Sequence, residues 1–201
     1  MDIFVTGTDT ACGKTVAGAA LVRALGPETA LIKPVQTGCP PDDDAAWIAR
    51  VTGADTYVWE RFAEPLAPAV CAERENRPLS VDDLAARTLG VDAPNRVCES
   101  AGGLLAPLAG TETMADLAAR LGWPVVVACR PGLGTLNHTA LTVEAAGRRG
   151  LEVLGCIVSG YRGGTTEETN LGRLAGIAPL IGVIPWSDTI ETSLPDVELD
   201  L

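Results

Sequence analysis

The stretch GTDTACGKT, residues 7–15, stands between a short apolar run and a segment with helical spacing. Successive backbone N–H groups around small residues form a cradle for an anion, and the first turn of a following helix adds the positive end of its dipole. The ending Gly13-Lys14-Thr15 is typical of a phosphate-binding loop, in which the lysine reaches the β- and γ-phosphates and the threonine hydroxyl binds Mg²⁺. The general pattern has glycine where Thr8 stands, and the alternative reading is an ordinary glycine turn. The complete ending favours a site for nucleoside triphosphate.

Short apolar runs recur along the chain at residues 3–6, 30–34, 96–99, 124–129, 153–158 and 180–184. Each run is continuous rather than alternating, which is typical of strands covered on both faces. Segments with helical spacing lie at residues 14–25, 44–51, 81–89, 113–121, 136–149 and 167–174. This alternation predicts an α/β fold, a single-domain P-loop NTPase with a mainly parallel central sheet flanked by helices on both faces. The domain spans residues 1–201, and its acidic end, residues 191–201, is either a loose tail or a docked segment.

The composition excludes several classes of partner. A net charge of −11 argues against nucleic acid and against anionic membranes, since both need a basic surface. The six cysteines form no C-x-x-C pair and there is one histidine, so neither a zinc site nor a disulfide scaffold is expected. Residues 1–5 lack the basic region of a signal peptide, and no apolar stretch approaches the ~18–20 residues of a membrane span. We therefore expect a cytoplasmic protein with reduced thiols.

Only two of the 15 basic residues are lysine, Lys14 in the loop and Lys33 near the end of the second predicted strand. An ammonium group is a compact charge with three donors, which suits contact with phosphate. Because a buried unpaired lysine is costly, we expect Lys33 to meet a triphosphate or a carbamate. Lys14 and Lys33 are therefore the predicted catalytic residues. The alternatives are a salt bridge from Lys33 to an aspartate and a chance result of an arginine-rich composition.

Two acidic residues stand where a metal ligand is expected. Asp44 follows Asp42 and Asp43 at the start of a predicted helix, and Glu99 ends the third predicted strand. Mg²⁺ prefers hard oxygen ligands and keeps several waters, so Thr15, Asp44 and Glu99 with phosphate oxygens would form a suitable set. The alternative for the aspartates is a solvated turn with a helix cap.

The segment RPGLGTLNH, residues 130–138, follows a predicted strand and opens a helix. Thr135 is either the N-cap of that helix or part of a helix N-terminus that receives a carboxylate. No acidic residue is placed to orient His138, so we interpret this histidine as structural.

Taken together, these residues resemble the dethiobiotin synthetase family over most of the chain. The matching pieces are FVTGTDT (residues 4–10), GKT (13–15), KPVQTG (33–38), EPLAP (64–68), Glu99 with AGG (101–103), GLGTLNH (132–138) and PLIGVIPW (179–186). So many ordered pieces are more specific than a phosphate-binding loop alone.

The resemblance implies an ATP- and Mg²⁺-dependent cyclo-ligase that forms the ureido ring of dethiobiotin from 7,8-diaminononanoate and CO₂. In the family, one amine takes up CO₂ as a carbamate, the carbamate oxygen attacks the γ-phosphate, and the second amine closes the ring and expels phosphate. It implies a homodimer, in which residues 135–137 of one subunit hold the substrate at the other's site. The implied nucleotide contacts are Ala11, Cys12, Gly13, Lys14, Thr15, Asp44, Glu99, Ser100, Ala101, Gly102, Ser159, Gly160, Val183, Ile184 and Pro185. The implied substrate contacts are Thr10, Thr37, Thr135, Leu136 and Asn137, and the implied metal ligands are Thr15, Asp44 and Glu99.

The chain departs from the family at two places. Ser100 replaces a usual glycine, which predicts a slightly different turn after Glu99. Ser159-Gly160 replaces an asparagine that often reads adenine, and a serine has fewer fixed donors and acceptors than an amide. We therefore hypothesise weak base selection, with CTP, GTP or UTP accepted beside ATP. Cys12, inside the loop, is a candidate for reaction with thiol reagents.

Three other classes of protein stay open at this point. A P-loop switch ATPase that positions DNA or cell-division factors shares the predicted fold, but needs a basic or amphipathic partner surface. A glutamine-dependent amide synthase normally carries a glutaminase domain, for which 201 residues leave no room. A non-enzymatic scaffold would leave two buried lysines without a role.

Overall fold

The computed structural model describes all 201 residues as a mainly parallel sheet with helices on both faces. The elements, in chain order, are β1 (Asp2–Gly7), α1 (Lys14–Leu25), β2 (Thr29–Thr37), α2 (Asp44–Thr52), β3 (Thr56–Phe62), α3 (Pro68–Arg74), α4 (Val81–Leu89), β4 (Asn95–Gly103), β5 (Pro107–Ala109), β6 (Glu112–Thr113), α5 (Met114–Leu121), β7 (Val125–Cys129), α6 (Thr135–Gly147), β8 (Val153–Tyr161), α7 (Thr165–Leu174) and β9 (Leu180–Pro185). None of the helices is both long enough and apolar enough to cross a bilayer.

Seven strands form one sheet in the order β3-β2-β4-β1-β7-β8-β9, and every neighbouring pair in it is parallel. β1 is central, with Phe4 opposite Cys98 on one side and Val125 on the other. The predicted α/β fold with a mainly parallel sheet is confirmed. In such a sheet the carboxyl ends of all strands meet at one edge, where ligands bind.

The core consists of one apolar layer on each face of the sheet. Helices α3 to α7 cover the face that carries Phe4, and α1 and α2 cover the face that carries Ile3 and Val5. Side chains alternate between faces along a strand, so adjacent residues enter different layers. Because a parallel sheet is buried on both sides, its strands carry the continuous apolar runs seen in the sequence.

The C-terminal segment is docked on the second of these faces. Leu194 is buried there, Arg23 on α1 donates to the Leu194 carbonyl at 3.1 Å, and Asp200 N donates to Ile181 O on β9 at 3.0 Å. A Cβ at Gly182 would overlap Leu199, so the glycine permits this approach. Of the two readings left open above, the docked segment is the one that the structure shows.

Three elements were missing from the sequence-based prediction: β3, α3 and the β5–β6 hairpin. β3 reads TYVWERF, which alternates instead of forming a continuous apolar run, because it is an edge strand that pairs only with β2. Several strands are longer than predicted, and in two of them this moves a candidate site residue. β2 continues to Thr37 and β4 to Gly103, so Lys33 and Glu99 lie within strands rather than at their ends.

An ion pair at the opposite edge joins the starts of β1 and β4. Arg96 donates from Nε and Nη2 to the two carboxylate oxygens of Asp2 at 2.9 and 2.7 Å, and its guanidinium lies 4.8 Å from the centre of the Trp123 ring. The hydrogen bond from Arg96 lowers the pKa of Asp2 below its usual value, against a smaller opposing effect of burial.

We expect Asp2→Asn to lower the free energy of unfolding by about 1 kcal/mol near neutral pH, because it removes a charge-assisted, partly exposed pair. Because the pKa of Asp2 is lower in the folded chain than in the unfolded chain, the ion pair stabilises the fold fully at pH values above the unfolded-state pKa. This stability is lost as the pH falls through the folded-state pKa. Urea titrations of both proteins should therefore converge in acid. An equal difference at all pH values would contradict this.

Candidate functional site

The loop between β1 and α1 has the backbone of an anion cradle. Gly13 has φ 90° and Ala11 has φ 55°, a left-handed conformation that is rare for alanine. A Cβ at Gly13 would overlap the side chain of Ser159 on β8, so only glycine fits there. Lys14 is buried, and its Nζ donates to Asp9 O of the same loop at 2.8 Å. The loop thus presents backbone N–H groups and one held ammonium to the same space.

Lys33 lies between two carboxylates. Its Nζ is 2.5 Å from Asp44 Oδ2 and 2.7 Å from Glu99 Oε1, and Thr15 Oγ1 donates to the same Glu99 oxygen at 3.0 Å. β2 and β4 pair up to Ile32 and Cys98, so Lys33 and Glu99 follow at the point where the strands separate. The sequence-based alternative of a salt bridge from Lys33 to an aspartate is therefore present, within a larger network.

The electrostatics of this network depend on burial. Burial opposes the charged form of Lys33, but the charges of Glu99 and Asp44 outweigh it and raise the pKa of Lys33 above its usual value. Burial raises the pKa of Glu99 above its usual value. The positive charge of Lys33 lowers this pKa, but not enough to reverse the effect of burial, and the negative charge of Asp44 raises it further. Glu99 is fully buried, so ionising it has a cost that the neighbouring cation offsets only in part.

The donor set fits a small hard cation. Glu99 Oε2 is buried and has no hydrogen-bond partner, and Asp44 and Thr15 supply further oxygen atoms beside it. Asp44 is free for this role because Asp43 is the helix cap and accepts from Ala46 N at 3.0 Å. The chain has no group of three or more histidine, cysteine, aspartate or glutamate side chains suited to a metal, so two carboxylates and a hydroxyl would need phosphate and water oxygens to complete the set.

These residues line a cavity of about 500 Å³ at the carboxyl edge of the sheet. It brings together eleven of the predicted site residues: Thr10, Ala11, Gly13, Lys14, Thr15, Lys33, Thr37, Asp44, Glu99, Ala101 and Gly102. Both lysines of the chain are among them. Gln36, Asp42 and Pro65 also line the cavity, although the sequence analysis assigned them no role in the site. The available signal was that Gln36 and Pro65 lie in two of the pieces that match the family, KPVQTG and EPLAP.

A second cavity of about 470 Å³ adjoins the first. The two share Thr10, Thr37, Pro65, Ala101 and Gly102. One wall of the second cavity is apolar, from residues 104–106 and α6, and the other carries loop hydroxyls. Asp9 and His138 supply its only titratable side chains. This space suits a small molecule with an apolar chain and with polar groups at the end that Thr10 and Thr37 share with the first cavity. His138, interpreted from the sequence as structural, lines this cavity.

Several predicted site residues lie outside both cavities. Ser159 packs on Gly13, and Gly160, Val183, Ile184 and Pro185 stand at the adjoining ends of β8 and β9. Cys12 is 1% exposed and packs beneath the loop beside Gly7, so its expected accessibility to thiol reagents is wrong for this conformation. Ser100 is buried within β4, and the strand continues through it, so the predicted turn after Glu99 is also wrong.

The segment of residues 135–137 lies at the start of α6. The N-cap of this helix is Gly134, with φ 92°, so the interpretation of Thr135 as the cap is wrong. Thr135 is buried and its hydroxyl has no partner, Leu136 packs against the core, and Asn137 is exposed. None of the three lines either of the two cavities described above.

Comparison with known proteins places this site in a family. Residues 1–193 match a family model described as an AAA domain. A dethiobiotin synthetase of Anaeromyxobacter dehalogenans is 43% identical over 94% of this chain and 91% of its own, and one of Mycobacterium leprae is 43% identical over 91% and 86%. The septum site-determining protein MinD of Pyrococcus horikoshii, solved with Mg-ADP, superposes with a TM-score of 0.61 at 18% identity over 95% of this chain and 84% of its own, which shows a shared fold alone.

A phosphate-binding loop, two lysines and two carboxylates occupy one cavity, and identity to curated relatives exceeds two-fifths across nearly the whole chain. This protein therefore belongs to the ATP-dependent dethiobiotin synthetase family and is a ligase.

Proposed function

We propose that the chain carboxylates 7,8-diaminononanoate with CO₂ and closes the ureido ring of dethiobiotin at the expense of ATP. The observation that carries this proposal is the position of Lys33. Its ammonium is held by Glu99 and Asp44 in the wall of the phosphate-loop cavity, and this cavity shares Thr10, Thr37, Pro65, Ala101 and Gly102 with the second one. A substrate that extends from the second cavity across these shared residues would meet this cation.

The reaction needs two anions to approach each other. Uptake of CO₂ by one amine releases a proton and forms a carbamate, whose oxygen attacks the γ-phosphate and expels ADP. The second amine then attacks the carbonyl carbon of the mixed anhydride and expels phosphate. Lys14 and Lys33 reduce the repulsion between carbamate and triphosphate, and the loop N–H groups align the phosphates, so positioning and electrostatics supply most of the catalysis.

Mg²⁺, when bound, would neutralise charge on the transferring phosphates. Thr15, Asp44 and Glu99 would hold it, since all three residues line the phosphate cavity and Glu99 Oε2 has no hydrogen-bond partner. Binding of Mg-ATP would then compete with Lys33 for both carboxylates and release the ammonium towards the phosphate. Thr10 and Thr37, common to both cavities, would contact the diamine, and Ser159, Gly160 and residues 183–185 would face the nucleoside.

We infer a homodimer from the rim of the second cavity. Leu105 and Leu141 line this cavity yet are 47% and 57% exposed, and Leu133, just before α6, is 93% exposed. Exposed apolar side chains grouped around a binding site are typical of an interaction surface. The exposed Asn137 and the start of α6 stand beside Leu133, which supports a role for residues 135–137 at the partner's cavity.

The six unpaired cysteines are compatible with a reducing cytosol.

We expect Leu133→Asp to weaken dimerisation by about tenfold or more, the loss typical of an apolar anchor. Sedimentation equilibrium measures the change, and specific activity should fall on dilution. Leu89→Asp is the matched control, because Leu89 is exposed at the end of α4, beside the ion pair of Arg96 at the opposite edge of the sheet. Equal association constants for the two variants would contradict the assignment of the surface.

The activity itself is tested by phosphate release with diaminononanoate, bicarbonate, Mg²⁺ or ATP omitted in turn. Release should require all four, and mass spectrometry should detect dethiobiotin. ATP turnover that is stimulated by DNA or lipid vesicles but not by the diamine would overturn the proposal in favour of a switch ATPase. Dependence on glutamine as nitrogen source would favour an amide synthase.

A further inference from the structure

An arginine–tryptophan stack stands at the end of β8 and β9. The guanidinium carbon of Arg162 lies 3.9 Å from the centre of the Trp186 ring, and Trp186 Nε1 donates to Asp188 Oδ1 at 3.0 Å. The ring is therefore held on one face and at one edge, yet Trp186 remains 50% exposed. A large aromatic side chain that is fixed and half exposed offers a preformed surface for stacking.

This stack is connected to the phosphate loop by direct packing. Ser159 on β8 packs on Gly13 of the loop, and the next residue, Gly160, lies against the six-membered ring of Trp186. The order along the carboxyl edge is thus phosphate loop, Ser159, Gly160 and Trp186. A nucleotide whose phosphates occupy the loop and whose nucleoside follows the ends of β8 and β9 would bring its base to Trp186.

We infer that Trp186, backed by Arg162, is the platform on which the base of the nucleotide stacks; this inference rests on the proposed function. Every base has a π-face, so stacking contributes affinity with little regard to identity. The polar side chains that follow Trp186 in the chain are already hydrogen-bonded: Asp188 accepts from the indole, and the Ser187 hydroxyl bonds to Thr189. Affinity for the base therefore comes from Trp186, and selection among bases is weak.

The experiment compares Mg-ATP with Mg-tripolyphosphate, which has the phosphates but no base, on the full-length protein by calorimetry. Trp186→Ala should weaken ATP binding by about 5- to 150-fold, the range for loss of one base–aromatic stack. Tripolyphosphate affinity should stay unchanged, and Trp186→Phe should restore most of the ATP affinity. ATP, GTP, CTP and UTP should compete with comparable affinities in the wild type.

Trp59→Ala is the matched control. Trp59 carries a similar stack, with the Arg87 guanidinium 4.9 Å from its ring, but lies on β3 at the other end of the sheet. This variant should bind ATP and tripolyphosphate as the wild type does.

The possible outcomes separate the two proposals. If the wild type binds neither ATP nor tripolyphosphate, the proposed nucleotide site fails. If it binds both and Trp186→Ala leaves ATP affinity unchanged, or weakens both ligands equally, the platform is overturned. Strong preference for ATP over the other three nucleotides would also overturn it.

Discussion

Lys33→Met lowers the rate of phosphate release by about 10²–10³, the usual consequence of removing one donor that stabilises a transition state. Lys33 is buried between Glu99 and Asp44 in the wall of the phosphate-loop cavity, where in the proposed reaction its ammonium offsets the negative charge of the carbamate and the γ-phosphate. An interaction made only in the transition state lowers kcat and kcat/KM by the same factor. Steady-state rates of phosphate release with diamine, bicarbonate and Mg-ATP measure both.

Binding and folding must be followed in the same variant. Methionine leaves Glu99 and Asp44 without their shared cation, so we expect the Mg²⁺ concentration for half-maximal rate not to rise. Breaking a buried ion pair typically costs about 3–5 kcal/mol, and thermal unfolding will report that loss. The control is Arg61→Met, which removes an exposed partner of Asp43 at 3.8 Å and should leave turnover nearly unchanged. A folded Lys33→Met protein with near-normal turnover would defeat the assignment of Lys33.

Glu99→Gln raises the Mg²⁺ concentration for half-maximal activity by at least about tenfold. The amide keeps the shape of the carboxylate and can still accept from Thr15 and Lys33, but it lacks the negative charge that a cation needs. Titration of activity with Mg²⁺ at saturating ATP measures this effect. Glu60→Gln makes the same change at a carboxylate paired with Arg77 and Arg87 outside both cavities, and should leave the Mg²⁺ titration unaltered.

Glu99→Gln should change the Mg²⁺ requirement without a large change in the stability of the fold. Burial raises the pKa of Glu99, so the folded chain keeps this proton to higher pH than the unfolded chain does. The wild type therefore loses stability as pH rises between the unfolded-state and folded-state pKa values, and Glu99→Gln does not. Unlike Lys33→Met, this variant leaves no charge of the network unpaired, because Lys33 keeps Asp44 as its partner. We therefore expect it to unfold at a temperature close to that of the wild type near neutral pH. An unaltered Mg²⁺ requirement, or a large loss of stability at that pH, would contradict the role of Glu99.

Parts of the site could be predicted because residues of the required chemical type stand at the required places in the chain. The ending Gly13-Lys14-Thr15, when it lies between an apolar strand and a helix, is specific for a phosphate-binding loop. Lys33 and Glu99 were found by residue type and by their place in apolar runs. Their contact was not predictable, since it requires β2 and β4 to be neighbours and to separate after Ile32 and Cys98. Sheet order is a property of the whole chain.

Other parts required the packed structure. Cys12 reads as an exposed thiol in the loop, but Gly7 leaves room for its side chain beneath the backbone. The sequence singled out Asp44 from the three adjacent aspartates as the candidate metal ligand, but only the structure shows that Asp43 is the helix cap and that Asp44 contacts Lys33. β3 was missed because an edge strand need not be apolar on both faces.

By itself the sequence determined that this chain is an α/β protein with the motif of a nucleotide loop and a resemblance to one ligase family, and it marked its two lysines as candidate catalytic residues. These conclusions depend on local patterns: residue type, apolar period and short motifs. Only the tertiary structure decided that Thr15, Lys33, Asp44 and Glu99 share one network, that the acidic C-terminus is docked, and that Trp186 stands beside the loop through Ser159. The physical reason is that such contacts join residues far apart in the chain, and strand order and packing, not local preference, bring them together.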